Sequence, residues 1–166
     1  MQPRSILITG ASSGIGAALA GAYAAPGVTL HLGGRDRRRL ALAVDRCRLL
    51  GASAIGAAVD VTDAEAMARW INAADARAPL DLVVANAGVS TVTTGTGDDS
   101  PATTRRVFAV NVDGVLNTVL PALERMRGRE RRPGSAWRGQ IAIIASLAAM
   151  RGMPGAPAYS ASKAAE

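Results

Sequence analysis

Short β-branched and aliphatic runs alternate with longer helical stretches along nearly the whole chain. Ser5 to Thr9 is followed by Gly14 to Ala24, Val28 to Leu32 by Arg37 to Leu50, and Ala54 to Val59 by Ala64 to Ala76. Leu82 to Ala85, a helix around Thr103 to Arg127, Gln140 to Ala145 and a last helix beginning near Ala158 continue the pattern. A β-run that is always followed by a helix cannot close a hairpin, so the alternation predicts an α/β fold: a doubly wound parallel sheet with helices on both faces. The unbroken apolar runs Ile6-Leu7-Ile8 and Ile141-Ala142-Ile143-Ile144 suit strands covered on both sides. Thr91 to Ser100 and Gly128 to Gly139 read as loops. No repeat or linker divides the chain, and 49% hydrophobic content over 166 residues supplies one core, so residues 1–166 read as a single domain.

The turn after the first β-run carries the first chemical signal. Gly10, Gly14 and Gly16 lie between an apolar strand and a helix, in Thr9-Gly10-Ala11-Ser12-Ser13-Gly14-Ile15-Gly16. Missing side chains there let the backbone turn tightly and approach a pyrophosphate whose charge faces the helix N-terminus, as in Rossmann-type folds. The spacing is Gly-x-x-x-Gly-x-Gly, and no Gly-Lys-Ser/Thr follows, so it is not a Walker loop. At the end of the second β-run the chain reads Gly33-Gly34-Arg35-Asp36-Arg37. An acidic residue there would accept from a ribose 2′-hydroxyl, whereas Arg35 places a guanidinium where a 2′-phosphate would lie. The reading is NADP, with NAD left open by Asp36.

Charge and composition remove other classes. The net charge is +6, gathered in Arg35 to Arg39 and Arg125 to Arg132. These runs flank helices without forming a stripe, and 3% aromatic content offers few platforms for stacked bases, so they read as solvated faces with no nucleic-acid partner. The single cysteine, Cys47, permits neither an intrachain disulfide nor a cysteine metal cluster. The apolar runs read as far too short to span a bilayer, and the chain starts without a long leader, so a cytoplasmic protein with no membrane partner is expected. The only histidine, His31, falls inside the second β-run, which argues against a Ser-His-Asp triad or a histidine metal site.

Lys163 is the only lysine beside eighteen arginines, and it stands four residues after Tyr159 in Tyr-Ser-Ala-Ser-Lys. On a helix that spacing puts the ammonium beside the phenol, where a cation favours the phenolate and fits the tyrosine to act as general acid or base. Ser146 follows the apolar run ending at Ala145, at the carboxyl end of a parallel strand, where open α/β sheets place their ligands.

Together these residues resemble the short-chain dehydrogenase/reductase superfamily, in register from about Ser5 onwards. The motif is met by Thr9, Gly10, Gly14, Ile15 and Gly16, then by Asn86-Ala87-Gly88, by Asn111 in Val-Asn-Val, and by Ser146, Tyr159 and Lys163. The resemblance implies reversible hydride transfer between a nicotinamide and a small carbonyl or alcohol substrate, with no metal. Asn111, Ser146, Tyr159 and Lys163 would be catalytic. Gly10, Ser12, Ser13, Gly14, Ile15, Gly16, Arg35, Asp60, Val61, Asn86, Ala87, Gly88, Tyr159 and Lys163 would bind the cofactor. Asp60 would contact the adenine, Lys163 would hold the nicotinamide ribose, and Asn111 would hold a water linking Lys163 to solvent. Arg35 matches a position where NADP-preferring relatives carry a basic residue, while Ser13 fills a second such position without one. A homodimer or homotetramer is implied. The alternative is a non-catalytic nucleotide-binding or regulatory protein on the same scaffold. Tyr159 to Glu166 meets no helix stop, so the chain reads as the N-terminal two thirds of a longer one, truncated within an element. A protein that ended there would expose an apolar strand edge and is expected to be poorly soluble and inactive.

Overall fold

Ser5–Ile8 (β1) sits at the centre of the sheet because its four residues are buried on both faces. The computed structural model describes residues 2–90, 100–131 and 136–166. Around β1, strands Thr29–Gly34 (β2), Ser53–Ala58 (β3), Leu82–Ala85 (β4) and Gln140–Ile143 (β5) form one parallel sheet in the order β3-β2-β1-β4-β5. The chain winds outward to one edge, returns beside β1 and winds to the other, the doubly wound topology expected. The period of two along the strands divides the core. Ile6, Ile8, Leu30 and Leu32 pack with Ala20, Leu40 and Val44 of helices Gly14–Tyr23 (α1) and Arg37–Leu49 (α2). Leu7 and Val83 pack on the opposite face with Met67, Ile71, Ala122 and Met126 of helices Ala64–Arg77 (α3) and Gly114–Arg127 (α5).

Strand limits differ from the sequence reading where glycines and turns intervene. β2 runs on to Gly34 because Gly33 and Gly34 stay in register with Ala57 and Ala58. A Cβ at Gly33 would lie 2.7 Å from Cζ3 of Trp70, so the indole of α3 closes over bare backbone. β5 stops at Ile143, two residues early, although Ile144 N still donates to Ala85 O. Within the two expected loops, residues 91–99 and 132–135 lie outside the described residues.

Helix Pro101–Phe108 (α4) joins α5 through a π-turn, Ala109–Asp113, which contains Asn111. The continuous helical run Pro101–Arg127 has 27 residues and is apolar enough to cross a membrane by length and composition. That corrects the expectation that all apolar runs are far too short to span a bilayer. In this fold α5 lies against α3, β4 and β5 with Val115, Ala122 and Met126 buried, while Phe108, Leu116 and Leu120 of the run stay exposed. The second arginine run is likewise not simply solvated. Arg125 Nε and Arg129 Nη1 reach the buried carboxylate of Asp75 on α3, each at 3.1 Å.

His31 shares its sheet face with Leu7, is 3% exposed, and has a buried Nε2 without a hydrogen-bond partner. Burial first, and the nearby Arg77 charge second, lower its pKa below the ordinary 6.5. The folded protein therefore prefers neutral imidazole, whereas the unfolded chain takes up a proton as the pH falls through about 6.5. Stability from this site is present above that value and lost below it. Urea unfolding is expected to show the native protein losing more stability than His31→Leu between about pH 7.5 and pH 5.5. Parallel losses would mean that His31 is not held neutral.

Candidate active site

The cleft opens at the carboxyl ends of β1, β2 and β4, at the point where the strand order reverses about β1. Gly10 (φ 66°) and Gly14 (φ 53°) adopt left-handed backbone, which only glycine enters without strain. Gly16 lies beneath them. A Cβ there would collide with Gly10 O and stand 2.6 Å from Asn86 Nδ2. Helix α1 starts at Gly14 with Ser13 as N-cap, and no side chain closes its first turn. Free N–H groups at a helix start favour an anion.

Thr9 fastens this loop to the strand beside it. Its Oγ1 donates to Val84 O and accepts from Asn86 N at 3.0 Å and Ala87 N at 3.1 Å. Asn86 Nδ2 donates back to Thr9 O at 2.9 Å. The glycine turn and Asn86-Ala87-Gly88 are thus one rigid wall.

The cleft has a volume of about 550 Å³. Of the residues expected to bind a cofactor, Gly10, Ser12, Ser13, Gly14, Ile15, Arg35, Asp60, Val61, Asn86, Ala87 and Gly88 line it. Gly16 supports the loop from below, and Tyr159 and Lys163 are not in this lining. Gly33, Gly34, Arg39, Val59, Val89 and Val110 also line the cleft and were not singled out from the sequence for this role, and Asp36, the residue that left NAD open, lines it too. The signal for the first two was their place at the end of β2. A Cβ on Gly34 would be 3.1 Å from Ser12 Cβ, so its absence brings the two loops together.

Two ion pairs stand at the far end of the cleft. Arg35 Nη1 lies 3.9 Å from Asp60 Oδ2, both half exposed. Asp36 caps α2 by accepting from Arg39 N at 3.0 Å, and its other oxygen is 3.4 Å from Arg39 Nε. Asp60 also accepts from Thr62 N and Thr62 Oγ1. The Asp36 carboxylate is therefore committed to its own helix, while Arg35 leans across the cleft mouth.

At the opposite end, helix Pro157–Ala164 (α6) presents Tyr159, half buried, and Lys163, 7% exposed. Lys163 Nζ donates to Ile144 O at 2.9 Å, tying α6 to the chain just past β5. Two residues on, Ser146 Oγ accepts from Ala148 N and caps the short 3-10 turn Leu147–Ala149. That bond uses a lone pair and leaves the hydroxyl proton to donate. Asn111 is fully buried. Its Oδ1 accepts from Val89 N at 2.9 Å, and its Nδ2 donates to Val89 O at 3.0 Å and Ser162 Oγ at 2.9 Å. It therefore locks α6 to the segment after β4. The π-turn that carries it had no sequence signal, although such turns recur at functional sites. A Cβ on Gly88 would stand 3.4 Å from Asn111 Oδ1 and 3.7 Å from Lys163 Nζ, so these residues join the cleft where Gly88 lines it. Among the described residues no group of three or more histidine, cysteine or acidic side chains could hold a metal.

Residues 4–166 match the family model for short chain dehydrogenases. An uncharacterized oxidoreductase of Myxococcus xanthus is 39% identical over 168 residues, covering 99% of this chain and 62% of that protein. A short chain dehydrogenase/reductase from Burkholderia phymatum, solved in complex with NAD, superposes with a TM-score of 0.83 at 32% identity, over 96% of this chain and 55% of that one. An alcohol dehydrogenase from Thermococcus sibiricus, complexed with 5-hydroxy-NADP, gives 0.81 at 29% identity, over 96% and 65%. The chain thus spans less than two thirds of the length of each of these three relatives.

Proposed function

Because this chain belongs to the short-chain dehydrogenase family, we propose that it is an NADP-preferring oxidoreductase interconverting a small carbonyl and its alcohol. The carrying observation is the junction at Gly88, where a glycine-walled cleft meets Asn111 and Lys163. The residues present fit a dinucleotide. Bare backbone at Gly10 and Gly14 and the open helix start admit a pyrophosphate, and about 550 Å³ of cleft runs from there to Arg35. A bound nicotinamide would supply the hydride in reduction and accept it in oxidation.

The protein's own groups orient the substrate and move the proton. Tyr159 Oη gives its proton to the carbonyl oxygen in reduction and takes it back in oxidation. The Ser146 hydroxyl donates to the same oxygen and fixes its direction. Lys163 holds the nicotinamide ribose, one helical turn from Tyr159 on α6. Asn111 holds α6 in place, with a water at its π-turn connecting Lys163 to solvent. Asp60 faces the adenine end. A homodimer or homotetramer in the cytoplasm completes the reading, and exposed Phe108, Leu116 and Leu120 on the long helical run support such an interface.

The NADP preference rests on Arg35 at the cleft mouth and on the engagement of Asp36 as a helix cap. A guanidinium on a phosphate dianion contributes about 1.5–3 kcal/mol. Arg35→Ala is therefore expected to weaken NADPH binding roughly tenfold or more, with NADH unchanged, as read by nicotinamide fluorescence titration. Equal weakening of both would remove Arg35 as the selective group.

A further inference from the structure

Lys163 is already fully engaged. An ammonium has three N–H donors, and here one goes to Ile144 O at 2.9 Å and the other two to Glu166, at 2.6 Å to Oε1 and 2.9 Å to Oε2. Glu166 lies just past the Ala165 cap of α6, three residues after Lys163, and the two side chains are 1% and 6% exposed. The pair is thus out of water, where each charge depends on the other. Yet Nζ stands beside Gly88, at the end of the cofactor cleft.

We propose that Glu166 is a positioning residue that holds Lys163 away from the cofactor and must give up at least one of its two contacts before the nicotinamide ribose can be bound. The inference rests on the cleft's reading as a dinucleotide site. A ribose hydroxyl accepting from Nζ needs a donor, and all three are in use. Ile144 O belongs to the backbone at the end of β5 and is fixed by the sheet, since Ile144 N donates to Ala85 O at 3.0 Å. The Glu166 carboxylate hangs on rotatable bonds and is the partner that can move. Its charge opposes the exchange, so the ribose half of the dinucleotide binds against a standing competitor while the adenine half does not.

The test compares the native full-length protein with Glu166→Gln and Glu166→Asp, using two probes: NADPH, and adenosine 2′,5′-bisphosphate, which lacks the nicotinamide ribose. Glutamine keeps the shape without the charge. Aspartate keeps the charge but draws it back from Nζ, and it carries the test if the glutamine variant fails to fold. The expected result is NADPH binding tightened about fivefold in Glu166→Gln and less in Glu166→Asp. Adenosine 2′,5′-bisphosphate affinity stays as in the native protein, and in a Lys163→Met background the Glu166→Gln effect disappears. A purely structural Glu166 would lower the melting temperature without tightening anything. NADPH binding that is unchanged or weaker in the variants overturns the proposal, as does equal tightening of both probes. Failure of the native protein to bind either probe would instead remove the dinucleotide reading, and this inference with it.

Discussion

Tyr159→Phe is expected to lower turnover of a carbonyl substrate by roughly 10³-fold while leaving the NADPH dissociation constant unchanged. The substitution removes one oxygen and keeps the ring, which is half buried on α6. Packing therefore changes little, and the loss falls on the step that needs a proton. Ser146 remains to hold the carbonyl oxygen but is a poor acid, so the residual rate reports orientation by Ser146 and the cleft without proton transfer. Stopped-flow oxidation of NADPH gives the rate, and fluorescence titration gives the affinity. Loss of turnover with binding retained separates the oxidoreductase reading from a non-catalytic nucleotide-binding protein on the same scaffold. Turnover that survives the change would place the proton donor elsewhere.

What was legible in the sequence follows from which interactions are local. The glycine turn could be read because its demands, left-handed backbone at Gly10 and Gly14 and close approach at Gly16, are imposed within seven residues. The alternation of β-runs and helices carried the sheet, because each parallel strand must be followed by a crossover. The π-turn at Asn111 was not legible. A wide turn there is set by neighbours distant in sequence, among them Val61, whose Cγ2 would lie 2.6 Å from a Cβ on Gly114. No periodicity announces such a contact. The spacing from Tyr159 marks Lys163 in the sequence, whereas nothing in the sequence marks Glu166 as its partner. An acid three residues after a lysine is ordinarily a solvated pair, and only burial gives this one a consequence. The same holds for Arg125 of α5 and Arg129 just beyond it, which stand 50 and 54 residues from the carboxylate they serve.

That carboxylate marks the place where the fold is expected to be most sensitive. Asp75 is 7% exposed on α3, and each of its oxygens has more than solvent to satisfy. Oδ1 accepts from Leu80 N at 2.9 Å and from Arg129 Nη1 at 3.1 Å, while Oδ2 accepts from Arg125 Nε at 3.1 Å. Arg129 continues through Nη2 to the carbonyls of Leu80 and Arg138, so one acid and one guanidinium gather the end of α3, the end of α5 and the approaches to β4 and β5. Asp75→Ala would leave Arg129, only 19% exposed at its side chain, without its counter-charge. Breaking a buried pair from one side costs about 3–5 kcal/mol, and because Arg125 is nearly half exposed and can turn to water, the lower part of that range applies. Urea unfolding should therefore show a loss of about 3 kcal/mol for Asp75→Ala. Asp75→Asn, which can still accept from Leu80 N, should lose less, and the difference between them isolates the backbone bond from the ion pairs. A loss below about 1 kcal/mol in Asp75→Ala would mean that both arginines find water as readily as they find the acid. The consequence reaches the site, because α5 follows directly from the π-turn that holds Asn111. Loosening α5 at its far end is expected to raise the NADPH dissociation constant modestly while leaving the Tyr159-dependent step intact, an effect on binding that Tyr159→Phe lacks.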